Sequence, residues 1–134
     1  MTNLIDIEGV GPAYAEKLGA AGLKTTDDLL KAAATPKGRQ DLEAATSISG
    51  SLILGWVNRA DLFRGKGIGT QYSDLLEASG VDSVKELAQR RADNLSAKMA
   101  EVNEQKKLVR QVPTQSQVAD WIEEAKTLPR VVSY

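Results

Sequence analysis

The chain says nearly the same thing twice. Laying its second half over its first places Gly67 on Gly9, Gly69 on Gly11, Tyr72 on Tyr14, Leu76 on Leu18, Ala78 on Ala20, Gly80 on Gly22 and Leu87 on Leu29. Conservative pairs fill the gaps: Val10 with Ile68, Glu16 with Asp74, Leu23 with Val81, Asp28 with Glu86. After a few extra residues in the second copy, "SLILGWVNRA" (51–60) meets "SQVADWIEEA" (116–125), and Trp56 meets Trp121. Repetition of this density constrains the architecture before any local propensity does, because each copy must be one supersecondary unit that cannot bury its apolar face alone. The expected division is 1–62 and 63–134, the second copy carrying a C-terminal tail. A unit of roughly 60 residues is marginal by surface-to-volume scaling. The two are therefore expected to pack into one compact body around a shared core, with both tryptophans inside it or at the seam.

The elements read as helices. Pro12 stands at a first helical position, where its missing N–H costs nothing. Tyr14, Ala15, Leu18 and Ala21 recur at helical spacing, and Gly22 suits the left-handed residue after a helix end. Thr25 with Asp28, Ser83 with Glu86 and Thr114 with Gln117 have the spacing of capping boxes, that of Thr25 being the weaker pattern. Thr35-Pro36 opens another helix, Ser49 caps the one through Trp56, and Asp93 or Asn94 caps a long one toward Lys107. Pro129 ends the last. Nothing alternates with period two, so the chain is expected to be all-α. Tyr14 and Tyr72 fall on the inward face, and core packing is the first role for both tyrosines and both tryptophans.

Composition removes several function classes. The chain has neither cysteine nor histidine, so it lacks thiolate zinc coordination, disulfides, and the commonest general base. The adjacent carboxylates Asp27-Asp28 and Glu123-Glu124 diverge on a helix and make no acid/base couple. No catalytic residue, metal site or cofactor is expected. The N-terminus has no signal-peptide pattern and no apolar run is long enough to span a bilayer, so a cytoplasmic location is expected. The net charge of −1 weighs against any nucleic-acid partner, which normally meets an excess of Lys and Arg.

The glycine pairs are the informative chemistry. The first turn of a helix leaves main-chain N–H groups unpaired and carries the positive end of the macrodipole, so a phosphate is its natural partner. Glycines just before that turn allow a sharp bend and a close approach. Gly9-Val10-Gly11 and Gly67-Ile68-Gly69 each suit this role, with Val10 or Ile68 turned inward as the anchor. The second copy is the better candidate: Arg64, Gly65, Lys66, Gly67, Ile68, Gly69 and Thr70 bring two cations and a hydroxyl. The first copy, Gly9, Val10, Gly11 and Lys17, is the weaker site, because Glu8 beside Gly9 repels a phosphate. Lys37 and Arg39 read as a solvated first turn. Lys98, Lys106, Lys107 and Arg110 form the most basic stretch, diluted by Glu101 and Glu104. "GKGIGT" (65–70) departs from the nucleotide-binding loop spacing, and no strand precedes it.

"IEGVGPAYAEKL" and "GKGIGTQYSDLL" resemble the helix-hairpin-helix motif, in which a glycine-rich turn grips the DNA backbone without reading sequence. With "ATPKGR", the tryptophan helices and "LPRVVSY", the two-copy layout resembles the domain of unknown function 4332 family across nearly the whole chain. That resemblance implies two helix-hairpin-helix repeats, helical bundles like the SAM domain. The helix-hairpin-helix resemblance implies nonspecific, non-enzymatic DNA binding through phosphate contacts, while the family label itself carries no established activity. The alternative is a protein–protein adaptor on the same fold, which the near-zero net charge, Glu8 and the apolar tail favour.

Overall fold

A computed structural model describes residues 3–7 and 9–134. The reading attached to Glu8 therefore lies outside the described residues. Among those described, a 3-10 turn at Leu4–Asp6 precedes eight helices: α1 (Pro12–Ala20), α2 (Thr26–Ala33), α3 (Pro36–Thr46), α4 (Gly50–Leu62), α5 (Thr70–Ala78), α6 (Val84–Ala88), α7 (Ala92–Lys106) and α8 (Gln115–Thr127). The fold is all-α. The only β-type pairing among the described residues is an isolated antiparallel bridge between Asn3 and Thr25. No helix described is long and apolar enough to cross a membrane.

Local chemistry explains most of the boundaries. Pro12 is the first residue of α1, and Gly22, one residue past its C-cap, is left-handed at φ 88°. Gly80 does the same after α5 at φ 94°. The capping boxes at Thr25/Asp28 and Thr114/Gln117 are reciprocal. Ser83 makes only half of one: it accepts from the Glu86 N–H, while the Glu86 carboxylate turns to Arg90. Thr35 and Ser49 cap α3 and α4. The long helix α7 departs from expectation, for its N-cap is Arg91 rather than Asp93 or Asn94. Asp93 is already helical and pairs with Arg91 at 3.1 Å.

The expected shared core is two cores. One gathers Leu4, Ile7, Val10, Leu18, Leu29, Ile53, Trp56, Val57 and their neighbours through Ala60. The other gathers Leu62, Ile68, Leu75, Leu76, Val81, Leu87, Met99, Val118, Trp121 and neighbours. Each tryptophan sits within its own core. Helix α4 is the hinge between them, since Ile53 to Ala60 serve the first core and Leu62 the second.

Polar ties hold the two cores together. Arg59, buried at the end of α4, pairs with Asp74 and with Glu77 of α5. Buried Asp61 accepts from Arg64 at 2.7 Å and from the Val84 N–H at 3.0 Å. The third tie is the tail. Beyond α8 the chain returns to the first core, where Val132 is only 3% exposed among its side chains. The Ser133 N–H donates to the Ala34 carbonyl at 2.8 Å. Arg39 is the clamp. Its guanidinium donates to the carbonyls of Ala33, Ala34 and Ser133 and lies 5.9 Å from the Tyr134 ring centre. Arg39 is thus buried rather than solvated, because three carbonyls at the end of α2 and on the tail converge on it. The tail is a strap over the first core, which occupies the segment that an adaptor reading would leave free for a partner.

Candidate phosphate-binding corners

The two glycine turns have the same build. Gly9 and Gly67 are left-handed, at φ 91° and 79°, a conformation that side chains with a Cβ resist. Val10 and Ile68 are each 4% exposed and plug their cores. Their N–H groups close the turns onto Ile7 and Gly65. Gly11 and Gly69 are the N-caps of α1 and α5, and neither helix start has a side-chain cap. The main-chain N–H groups of Gly67, Gly69, Thr70, Gln71 and Tyr72 meet no acceptor among the described residues. Gly67, Gly69 and Lys66 are exposed.

A tryptophan floors each corner. A Cβ on Gly9 would stand 3.6 Å from Trp56 Nε1, and one on Gly67 would stand 3.6 Å from Trp121 Nε1. Tyr14 meets Trp56 at 5.2 Å between ring centres, and Tyr72 meets Trp121 at 5.3 Å. These contacts fix both indoles from below. Grooves open above them: about 420 Å³ lined by Lys66, Gly67, Gln117, Asp120, Trp121 and Glu124, and about 220 Å³ lined by Gly9, Ser51, Leu52, Gly55, Trp56, Arg59 and Glu77.

The cations assigned to the second corner divide. Arg64 donates to Asp61 and to the Pro129 carbonyl, and it lines a 240 Å³ cavity beneath the tail instead of the groove. Lys66 extends no side-chain bond to a carboxylate among the described residues, but its main-chain N–H donates to Glu124 Oε1 at 2.7 Å. The Glu124 carboxylate is thus half-buried and seated on the turn. Thr70 contributes its carbonyl to the Ser73 hydroxyl. In the first corner Lys17 is exposed on α1 without a carboxylate partner among the described residues.

The basic stretch gains a position. The Tyr72 hydroxyl donates to the Gln111 carbonyl at 3.3 Å, which lays the loop after α7 beside the first turn of α5. Lys98, Lys106, Lys107 and Arg110 are exposed and meet no carboxylate among the described residues. The repeat also carries a charge inversion. The position that holds Glu124 in the second copy holds Arg59 in the first, counted from the matched tryptophans. Among the described residues no cluster of carboxylates is suited to a metal ion.

In a comparison with protein families, a model described as "Domain of unknown function (DUF4332)" matches residues 8–128. The chain belongs to the DUF4332 family. The match spans both glycine corners and both tryptophan helices of this DUF4332 protein. No curated protein and no solved structure matches it.

Proposed function

We propose that this DUF4332 protein is a non-enzymatic, cytoplasmic module that binds nucleic acid through its glycine corners, used as helix-hairpin-helix turns. They contact DNA phosphates with little regard to sequence. One observation carries the reading: the main-chain N–H groups of Gly67, Gly69, Thr70, Gln71 and Tyr72, at the turn before α5, meet no acceptor among the described residues. Donors so arranged at the positive end of a helix favour a phosphate oxygen, and main-chain contacts position a duplex without reading its bases. The Lys106–Arg110 stretch beside the corner adds cations that extend along a backbone. Few cations participate, so affinity is weak and falls with salt. Fluorescence anisotropy of a labelled duplex, titrated against salt, tests the reading. Binding at low salt that weakens when Lys66 and Arg110 are both changed to Glu supports it. Unchanged binding by that double variant removes the corner from the interface.

A second reading, a protein-interaction adaptor, has its own support. Glu124 and Asp120 make the second groove acidic, and Leu52 on the first groove is 40% exposed. Absence of duplex binding at low salt, with a folded protein, favours the adaptor.

A further inference from the structure

The two tryptophans do more than fill the cores. Trp56 is 4% and Trp121 7% exposed, so each indole is more than nine-tenths buried. An indole N–H can only donate, and a buried one is normally paired. Yet neither Nε1 meets an acceptor among the described residues. Nor is either sealed from solvent, for no described side-chain nitrogen or oxygen is both sealed and unpaired. The one polar atom of each ring lies beside the glycine of its corner, and each ring lines the groove that opens there.

The glycine contact sharpens this point. A Cβ at Gly9 or Gly67 would sit in ordinary van der Waals contact, 3.6 Å from the indole nitrogen, and so would cover it. The missing side chain keeps the N–H uncovered, in addition to permitting the positive φ. Core packing requires no such opening. A tryptophan whose only task was to fill volume would gain by turning its N–H to a carbonyl, or could be replaced by Phe.

We propose that Trp56 and Trp121 each donate their indole N–H to the phosphate oxygen held at their glycine corner, so that each site combines a side-chain donor with main-chain amides. This assignment rests on the nucleic-acid reading above and names its side-chain ligands. The tyrosines stacked at 5.2 and 5.3 Å hold the donors in place before a ligand arrives, which limits the ordering cost of binding. The two corners are unequal in charge. At the second, Glu124 and Asp120 line the groove, and a phosphate must displace the Glu124 carboxylate from the Lys66 N–H or share the corner with it. At the first, the groove's carboxylate, Glu77, is paired with Arg59, which it shares with Asp74.

The chain has two tryptophans, so a nitrogen-15 spectrum of the full chain carries two indole peaks, assigned with Trp56→Phe and Trp121→Phe. A short duplex is titrated at low salt while anisotropy is followed in parallel. The expected result is a saturable downfield shift of at least one indole proton, in step with the anisotropy. Replacing that tryptophan by Phe should weaken binding by about tenfold, the size expected for one hydrogen bond to a charged oxygen. Far-UV circular dichroism and the remaining amide spectrum verify that each Phe variant keeps its fold. Anisotropy that rises while both indole peaks stay fixed overturns the assignment and leaves the nucleic-acid reading standing. No anisotropy change at any salt, with the wild-type spectrum intact, overturns that reading and this one together.

Discussion

The Glu124 carboxylate accepts the main-chain N–H of Lys66 at 2.7 Å, so the strongest acceptor on the second glycine turn belongs to the protein itself. An acid in this place competes with an incoming phosphate in two ways. It occupies a donor, and it repels the ligand's charge at close range. Glu124→Gln keeps the side chain's shape and its hydrogen bond but removes the charge. Duplex affinity at low salt should rise roughly three- to tenfold, with the gain shrinking as salt screens it. Glu123→Gln is the control, because Glu123 is exposed and engages Lys126. Equal gains from both variants would reduce the effect to net charge alone.

The tail strap is the second target. Val132 leaves the second half to be buried in the first core, and Arg39 binds the strap through the Ser133 carbonyl at 2.7 Å. Val132→Ala removes two buried methyl groups and should cost on the order of 1–2 kcal/mol. Arg39→Ala leaves the Ala33 and Ser133 carbonyls without their donor, while the Ala34 carbonyl keeps the Ser133 N–H, and should cost about 2–3 kcal/mol. Both are read by urea denaturation. If the strap is a tie between the halves, the losses fall in one transition. Two separated transitions would mean that the cores unfold independently even with the strap in place.

Much of this was written in local chemistry. Thr25, Thr114 and Pro12 announced their helix starts because capping and N1 preferences act within four residues. The repeat announced the paired corners because the same residues recur at the same spacing. What the sequence hid depended on contacts distant in the chain. Arg39 looked like a solvated cation, and nothing near it in sequence says that Ser133 will arrive. Arg64 sits beside the glycine turn, yet Asp61, one helical turn away, captures it. Nothing near Glu124 in sequence says that it covers the second glycine turn, which lies half the chain earlier. The tryptophans looked like core, and they are. Their second feature, a bare N–H over a glycine, is visible only once the ring orientation is known. The coincidence of Trp on Trp and Gly on Gly across the repeat was the available signal.

Asp28 gives α2 a dependence on acid. Its carboxylate accepts from the N–H groups of Lys24 and Thr25 at 3.1 and 3.2 Å, and these bonds, the Lys24 one first, hold its pKa below the ordinary carboxylate value. A folded-state pKa depressed in this way stabilises the fold above the unfolded value of about 3.9, and the contribution is lost as pH falls through the folded value. Amide exchange at Lys24 and Thr25 should therefore accelerate as pH is lowered through that window, after correction for the intrinsic rate. Asp28→Asn should weaken the cap at neutral pH and flatten the acid response. A response unchanged in the variant would place the acid sensitivity elsewhere.

Tyr134 gives the strap the opposite dependence. Its hydroxyl donates to Asn58 Oδ1 at 2.6 Å. Partial burial, with Asp61 and Asp82 nearby, raises its pKa above 10.0, because a phenolate there would lose solvation and face like charge. When the folded pKa is raised, the neutral form stabilises the fold. That contribution is complete below the unfolded value of about 10 and is lost as pH rises through the folded value. Tyr134→Phe should cost about 1 kcal/mol near neutrality through the lost hydrogen bond, and it should abolish the part of the alkaline loss that Tyr134 supplies. Denaturation midpoints measured from about pH 8 upward give the comparison, and absorbance at the phenolate band follows the three tyrosines directly. Parallel stability curves for the variant and its parent across that range would mean that the phenol titrates without strain on the strap. Convergence of the two curves at high pH is the expected result, because ionisation and substitution remove the same donor from Asn58.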